Sequence, residues 1–462
     1  PRHTGDFSMF RVYASKDNRP AAYSPQNVPY RPKKHFSIST KGVKEGDFTM
    51  IYGFPGNTQE YILSDAVAYI AERSDPAKIA VRTGRLDIIT KAQESDPALR
   101  IHYAAKHASI ANAWKKWQGE ALGIDRRGTV AAKFDYETQF GLWSVGRPEY
   151  AGVVMGLRAE YDRIMDAYFA YEITRETLST LPAAYTPEER AEECFARRKF
   201  AEQALWRHAF REYGRCPKVY RTPSYAEGMA RYKSPEAYAD ALFEAVWEGS
   251  DSVAMQPAVT LREETKRMLD HISWMLGTKS LRNLNSKILN ELYTTYIKGL
   301  REWDRERAFY PDANLTLRVA YGSVAGYEYA DGEYHKPQTT LDGIIAKDNP
   351  EIYDYDIPQS LRDLYASKNY GRWGTVIDGR RTVPVCFLAT NHTTGGNSGS
   401  PVLNAGGELI GINFDRTWRS TMSDIAFDPA ICRNIAVDIR YVLFVVDRVG
   451  GAGYLLKEMT LK

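Results

Sequence analysis

The sequence predicts a mixed fold in which a long helical segment separates two β-rich regions. Short apolar runs alternate with turn-forming residues over residues 1–56, a pattern that is typical of strands. Over residues 57–311, helix-capping motifs precede stretches with helical periodicity. The strand pattern returns over residues 312–462. We therefore predict three domains with these boundaries, the last of which closes with a short helix.

The composition is that of an ordinary globular protein. The chain has 462 residues, of which 44% are hydrophobic and 26% charged, and its formal net charge is +3. This charge is too small to indicate binding to nucleic acid or to an anionic membrane, and no apolar run reaches the ~18 residues of a membrane span. Neither kind of partner is expected. The four cysteines are too few for a disulfide framework, so a Cys194–Cys216 bridge and free buried thiols both stay open.

In the first region, we expect strands over residues 7–13, 35–39 and 48–52. Three strands cannot close a barrel alone. We therefore expect this region to be the end of a domain that begins outside the chain.

In the helical region, four motifs predict helix starts. Asp75 and Asp96 each stand before a proline and are expected to cap a helix, and capping boxes begin at Thr186 and Thr260.

One predicted helix, which begins near residue 97, carries an apolar stripe. Ile110, Trp114 and Trp117 share one face at helical spacing, and this spacing indicates a core contact. Asn112 lies off the stripe, and periodicity alone assigns it no function. Gly119 is expected to end the helix.

In the last region, we expect strands over residues 315–321, 383–388, 402–403, 409–414 and 437–447, followed by a helix over 454–459. The strand at 402–403 directly follows the glycine-rich stretch 395–401, which contains Ser398 between Asn397 and Gly399. Such a turn can expose a serine nucleophile and point the N–H groups of Gly396 and Ser398 at one oxyanion. The alternative is a polar hairpin without chemistry.

A nucleophilic serine needs a base, which is most often histidine. His392 lies in the loop of the serine itself, from which an imidazole approaches awkwardly, and His3 lies beside Asp6. We interpret neither as the base. The base is expected to lie outside this chain.

Six segments of the chain resemble the bacterial periplasmic serine dipeptidyl-peptidases of types 7 and 11: residues 1–7, 52–56, 110–117, 317–324, 339–344 and 396–416. The resemblance covers the whole chain and implies a chymotrypsin-like double β-barrel with an α-helical domain inserted between the barrels. The first barrel would be incomplete here, since the family's N-terminal segment, which carries the catalytic histidine, is missing. The chain alone is therefore expected to be inactive.

The resemblance also implies roles for individual residues. Ser398 matches the nucleophile, Asp6 the triad acid, and Gly396 with Ser398 the oxyanion donors. Asn112 and Asp415 match the residues that hold the free α-ammonium group of the substrate, which lets an exopeptidase count from the amino end.

Arg416 matches the position that faces the penultimate substrate residue in this family. Arginine there goes with Asp or Glu, which its guanidinium can bind through two hydrogen bonds, so the chain resembles type 11 most closely. An ordinary ion pair is the alternative. On a regular strand Asp415 and Arg416 would point to opposite faces, so both can serve one substrate only at different subsites or on an irregular strand.

We therefore predict a serine exopeptidase that releases dipeptides from peptides with a free N-terminus and prefers Asp or Glu next to the cut. A trypsin-like endopeptidase and a non-catalytic peptide-binding module are the alternatives. No cofactor and no metal are expected, because the sequence has no HExxH motif and no clustered Cys/His spacing. By family resemblance we expect a periplasmic homodimer.

Overall fold

The computed structural model describes residues 3–249, 251–278 and 283–462, which divide into two compact units. The residues up to Glu60 and those of Pro311–Lys462 form one unit, which we call the sheet unit. Tyr61–Tyr310 form the other, the helical unit. The predicted mixture of sheet and helix is confirmed. This division has two units, and the three predicted domains stay a prediction.

The sheet unit contains these strands: β1 (Tyr13–Ala14), β2 (Val28–Pro29), β3 (Phe48–Gly53), β4 (Arg318–Ser323), β5 (Tyr327–Ala330), β6 (Glu333–His335), β7 (Gln338–Thr340), β8 (Thr375–Ile377), β9 (Arg380–Thr382), β10 (Pro384–Ala389), β11 (Pro401–Leu403), β12 (Leu409–Arg416) and β13 (Asn434–Asp438). Seven of them form one sheet in the order β4-β3-β11-β12-β13-β10-β7. β3 pairs antiparallel with both β4 and β11. A strand that precedes the helical unit in sequence thus lies beside the strand that follows the Ser398 loop.

The other two strands predicted in the first region differ from the structure. β1 covers only the end of the predicted strand 7–13, and in the predicted strand 35–39 only Ile38 forms isolated bridges, to Leu409 and Leu461. The Ile38 N–H donates to the Thr460 carbonyl (2.8 Å), so this stretch is held by the C-terminal end of the chain. A segment with strand propensity forms a full strand only where a neighbouring strand pairs along its length, and residues 35–39 have only the isolated bridges of Ile38.

The predicted strand 437–447 is wrong beyond its first two residues. β13 ends at Asp438, whose carboxylate accepts a hydrogen bond from the Arg440 N–H (2.9 Å) and caps a helix over Ile439–Phe444. All six residues of this helix are buried. A continuous apolar run is compatible with a buried strand or a buried helix, and the capping carboxylate favours the helix here. The predicted C-terminal helix is present as a 3₁₀ helix over Gly453–Glu458.

The helical unit contains α1 (Ser64–Ala68), α2 (Asp75–Ser95), α3 (Pro97–Arg126), α4 (Thr129–Ser144), α5 (Val153–Glu176), α6 (Pro187–Ala191), α7 (Lys199–Tyr213), α8 (Pro223–Tyr232), α9 (Pro235–Glu248), α10 (Ser252–Leu276) and α11 (Lys287–Trp303). The sheet unit adds α12 (Leu341–Ile345), α13 (Gln359–Ser367) and α14, the helix over Ile439–Phe444. An aromatic core that includes Tyr161, Phe210 and Phe243 lies within the helical unit. Among the described residues, no helix is both long and apolar enough to cross a membrane.

Two of the four predicted helix starts are confirmed. Asp96 caps α3 by accepting the Ala98 N–H, and Thr186 begins a complete capping box at α6. Thr260 lies inside α10, which Asp251 caps instead. Asp75 is not a cap either, because the backbone is helical on both sides of it and its buried carboxylate pairs with Lys78 (3.0 Å).

Ile110 and Trp114 of the α3 stripe pack in a core as predicted, whereas Trp117 lies against Lys78 and Arg82, and the helix does not stop at Gly119. Ile110 is buried, and the Trp114 indole N–H donates to the Thr83 hydroxyl (2.9 Å). Gly119 is a buried interior residue of a helix that continues to Arg126. All four cysteines are buried and form no disulfide, so the alternative of a Cys194–Cys216 bridge is not realised.

Candidate active site

Ser398 lies in a tight loop, Gly395–Ser400, which we call the serine loop and which leads directly into β11. Gly396 has φ of +108°, and a Cβ at this position would lie 2.3 Å from the Phe54 carbonyl oxygen and 2.9 Å from the Gly56 nitrogen. Both of these atoms belong to the backbone and cannot move aside as a side chain can. Gly396 is therefore required by conformation and by space together.

The loop is held by the buried Asn397 and Asn413. The Asn397 carbonyl accepts from the Ser400 N–H (3.0 Å) and from Asn413 Nδ2 (3.3 Å), and its side-chain Oδ1 accepts from the Thr394 N–H (3.1 Å). The Gly399 N–H donates to the Asn413 carbonyl (2.8 Å). The uncharged residue before the serine, Asn397, thus joins parts of the loop through its hydrogen bonds, and we call this set of bonds the Asn397 bracket.

Two backbone N–H groups of the loop are left for a ligand. Over residues 3–249, 251–278 and 283–462, neither the Gly396 N–H nor the Ser398 N–H has a hydrogen-bond acceptor. The intervening Asn397 N–H is used internally, since it donates to the Thr394 carbonyl (3.1 Å). These are the two donors that the sequence predicts for an oxyanion.

The Ser398 side chain is exposed, and its hydroxyl donates to the Phe414 carbonyl of β12 (3.3 Å). This contact places Ser398 beside the end of β12, where Asp415 and Arg416 follow. The pairing of β12 with β13 shifts register between Asn413 and Asp415, which is a β-bulge. The strand is therefore irregular at the point where the sequence-based interpretation of Asp415 and Arg416 requires it.

Arg416 forms an ion pair within the sheet unit. Its guanidinium donates through both terminal nitrogens to the Asp424 carboxylate (2.5 and 2.9 Å) and also to the Ser423 hydroxyl (2.9 Å). The side chains of both partners are 11% exposed. Asp415 is exposed, and its carboxylate accepts the Arg416 N–H (2.8 Å). The Arg416 guanidinium is therefore held at the end of β12 by the Asp424 carboxylate.

His392 lies six residues before Ser398, and its ring nitrogens contact Ser423 and Glu60. Its Nε2 lies 3.0 Å from the Ser423 carbonyl, and its Nδ1 lies 3.2 Å from Glu60 Oε1. Its ring packs on Phe427, with 4.5 Å between the ring centroids. Burial lowers the pKa of His392, while the Asp424 carboxylate raises it.

The remaining predicted site residues are Asp6 in the sheet unit and Asn112 in the helical unit. Asp6 is exposed and has φ of +51°, and the segment is anchored through the His3 carbonyl, which accepts from the Tyr441 hydroxyl (2.5 Å). Asn112 belongs to the helical unit and is exposed on α3. The roles of Asp6 and Asn112 stay predictions of the family resemblance.

One cluster in the described part of the chain has metal-ligating side chains, His102, Glu192 and Cys194 of the helical unit. The buried Arg198 donates to His102 Nε2 (2.7 Å) and to the Glu192 carboxylate (3.3 Å). A guanidinium that already neutralises this carboxylate opposes the binding of a second cation. The cluster is best described as an ion-pair network.

Sequence reasoning missed three residues that shape the site. Asp424 holds Arg416, Glu60 faces His392, and Gly53 of β3 lets Ser400 approach, since a Cβ there would lie 2.3 Å from the Ser400 hydroxyl. Asp424 follows Arg416 by eight residues, and Glu60 lies far away in sequence. No local pattern indicates either partner.

A serine exposed on a glycine loop, with two available backbone N–H groups beside it, is the arrangement that serine hydrolases use for a nucleophile and an oxyanion site. The sequence pattern of the family Peptidase S46 matches residues 1–191 and 188–461. The chain belongs to this family, and its recognition as a dipeptidyl-peptidase of the type 7 and 11 group is confirmed.

Relatives of known name cover the whole chain. The Asp/Glu-specific dipeptidyl-peptidase of Capnocytophaga gingivalis is 40% identical over 507 residues, which cover 100% of this chain and 70% of the relative. Dipeptidyl-peptidase 7 of Phocaeicola vulgatus is 33% identical over 500 residues, covering 100% and 69%. The crystal structure of Porphyromonas endodontalis DPP11 in complex with the dipeptide Arg-Glu superposes with a TM-score of 0.83 at 32% identity and covers 100% of this chain and 71% of that one.

Proposed function

We propose that this protein is a serine dipeptidyl-peptidase that releases dipeptides from peptide N-termini and prefers Asp or Glu next to the cut. The observation that carries the proposal is the juxtaposition of Ser398 and its two available N–H donors with Arg416 at the bulged end of β12. The names of its relatives, which include Asp/Glu-specific dipeptidyl-peptidases, support the same activity.

The chemistry follows from the serine loop. Ser398 Oγ attacks the carbonyl carbon of the second peptide bond, and the Gly396 and Ser398 N–H groups stabilise the oxyanion that forms. The serine proton passes to a histidine base, oriented by Asp6, and then to the leaving amine, which departs. Water then attacks the acyl-enzyme and releases the dipeptide. The Asn397 bracket keeps both donors in place throughout.

The substrate's amino end sets where the chain is cut. Asp415 offers an exposed carboxylate at the bulge, close in sequence to the carbonyl that Ser398 contacts. A carboxylate neutralises an α-ammonium group, so only peptides with a free N-terminus are held in register. Asn112 is inferred to take part by the same family resemblance.

Arg416 is inferred to recognise the penultimate side chain. Asp424 binds the guanidinium with the two-oxygen geometry that a substrate Asp or Glu would use. Carboxylate recognition by this guanidinium therefore needs either exchange with Asp424 or binding at its other edge. In both cases a neutral substrate side chain gains less than a charged one.

The test compares Arg416→Gly with the parent in the full-length enzyme, on two dipeptidyl substrates that differ only in ending with Asp or Leu. We expect the Asp/Leu ratio of kcat/KM to fall by about one to two orders of magnitude, since a charge-assisted pair is worth roughly 1.5–3 kcal/mol. Arg381→Gly, at an exposed arginine of β9, is the matched control and should leave the ratio unchanged. An unchanged ratio in Arg416→Gly would refute the role of Arg416.

The finer description of the fold is part of the same proposal. We infer that the sheet unit contains a chymotrypsin-like barrel and that the helical unit is an insertion between two barrels. The periplasmic location and the homodimer rest on the family resemblance alone.

A further inference from the structure

The segment 54–60 lies between the serine loop and the stretch that holds Arg416. At one end the Gly56 N–H donates to the Gly395 carbonyl of the serine loop (2.6 Å). At the other end the Gln59 N–H donates to the Asp424 carbonyl (2.6 Å). One short segment thus contacts the backbone on both sides of the site.

Asp312 holds the far end of this segment. Its carboxylate accepts from the Thr58 hydroxyl (2.6 Å) and from the Glu60 N–H (3.0 Å). The Glu60 side chain is only 8% exposed, so its carboxyl group points into the sheet unit rather than to solvent. There it meets His392.

The contacts at the two ring nitrogens of His392 restrict where its protons lie. The Ser423 carbonyl oxygen can only accept, so Nε2 carries a hydrogen. Nδ1 then faces the Glu60 carboxyl group at 3.2 Å, and that contact is a hydrogen bond only with one proton between the two atoms. His392 and Glu60 therefore act as one unit that holds the Ser423 backbone.

The Arg416 guanidinium donates to Ser423 and to Asp424. The groups that face His392 are Glu60, Asp424, Asp312 and Arg416, so the imidazole sits inside the same charged cluster. Through the Ser423 carbonyl, His392 therefore contacts one of the residues that hold Arg416. The Ser398 hydroxyl has a different partner, the Phe414 carbonyl.

We propose that His392, together with Glu60, is a positioning residue for Arg416: it fixes the Ser423–Asp424 backbone and thereby the guanidinium that selects acidic substrates. This inference rests on the proposed role of Arg416. It assigns to the histidine of the serine's own loop a part in specificity, not in proton transfer to or from the serine.

The experiment uses the full-length enzyme and two dipeptidyl substrates that end in Glu and in the isosteric, neutral Gln. In His392→Leu we expect the Glu/Gln ratio of kcat/KM to fall about fivefold to tenfold, mainly through a higher KM for the Glu substrate. Turnover of the Gln substrate should stay within about threefold of the parent, because the serine loop keeps the Asn397 bracket. His392→Gln should recover most of the ratio, since its amide can donate to the Ser423 carbonyl.

A matched control is available in the same unit. His335 also pairs with a glutamate, Glu333 (2.9 Å), but belongs to β6. His335→Leu removes a more exposed His–Glu pair and should leave the Glu/Gln ratio unchanged. A fall in this control equal to that in His392→Leu would overturn the inference, since any loss of packing would then suffice.

Two further variants separate this inference from the proposed function. If Arg416→Gln keeps the Glu/Gln ratio, the role of Arg416 itself is wrong. If Arg416→Gln loses the ratio and His392→Leu keeps it, only the positioning role is wrong. In the double variant, His392→Leu should add no further loss to Arg416→Gln, whereas an independent additional loss would contradict action through Arg416.

Glu60→Leu provides a second route should His392→Leu fail to fold, which thermal unfolding would reveal. It removes the other member of the pair and should lower the Glu/Gln ratio in the same way. An unchanged ratio in a folded Glu60→Leu enzyme would overturn the proposal.

Discussion

Gly396→Ala should inactivate the enzyme while its neighbour Gly395→Ala should not. Gly396 has φ of +108°, and a new Cβ would lie 2.3 Å from the Phe54 carbonyl oxygen and 2.9 Å from the Gly56 nitrogen. At Gly395, nothing lies within 4 Å of the corresponding Cβ, and its φ is not in the left-handed region. The two variants introduce the same side chain at adjacent positions, so they differ only in the space and backbone conformation at each position.

The size of the effect follows from these distances. A non-glycine residue in such a backbone conformation costs about 1–3 kcal/mol, and the overlap with two backbone atoms adds to this cost. The loop can relieve the overlap only by moving, which carries the Gly396 N–H away from the oxyanion. Loss of one such donor lowers kcat by about 10²- to 10³-fold in serine proteases.

The assay measures kcat at saturating dipeptidyl substrate for the parent and both full-length variants, with thermal unfolding recorded in parallel. We expect Gly396→Ala to lose about 10²-fold or more in kcat and Gly395→Ala to stay within about threefold. If both variants keep the parent's kcat, the Gly396 N–H is not an oxyanion donor. If both lose it equally, the steric argument is wrong.

Three other perturbations have defined outcomes. Asp415→Ala should abolish dipeptide release to the same degree as acetylation of the substrate's α-amine, and ready cleavage of acetylated peptides would favour an endopeptidase. Burial raises the pKa of Asp75 to about 7, against the pull of Lys78, so the folded state loses stability as the pH rises from about 4 to about 7. Asp75→Asn should therefore match the parent's stability near pH 4 and exceed it near pH 8 by up to about 4 kcal/mol in urea unfolding; equal stability at both pH values would contradict this. Asp438→Ala should cost about 3–5 kcal/mol by the same measurement, because it strands the buried Arg440 guanidinium that Asp438 binds at 2.6 and 2.9 Å.

The features that the sequence predicted well are local ones. The serine loop needs a positive φ at Gly396, and the glycine that permits it is visible in the sequence beside Ser398. Likewise Asp96 and Thr186 cap helices through bonds to residues two or three positions away. Interactions of this kind close over a few residues, so the pattern of side chains contains nearly all the information about them.

Tertiary structure decided the features whose partners lie far apart. Thr260 has a good capping pattern but lies inside α10, because the helix begins at Ser252 after its Asp251 cap and buries Ala258 and Leu261 on either side of Thr260. The apolar run after Asp438 becomes a buried helix rather than a strand, although its composition suits either.

The site itself shows the same division. Its nucleophile and its arginine can be identified from sequence, since Ser398 and Arg416 lie in one resembling segment. The partners Asp424 and Glu60 cannot, because no local pattern links Asp424 to Arg416, and the segment 54–60 is separated in sequence from the serine loop by the whole helical unit. Because Arg416 and His392 are largely buried, each must pair with a polar group that lies near it in the fold. Proximity in three dimensions, and not spacing along the chain, decides which group that is.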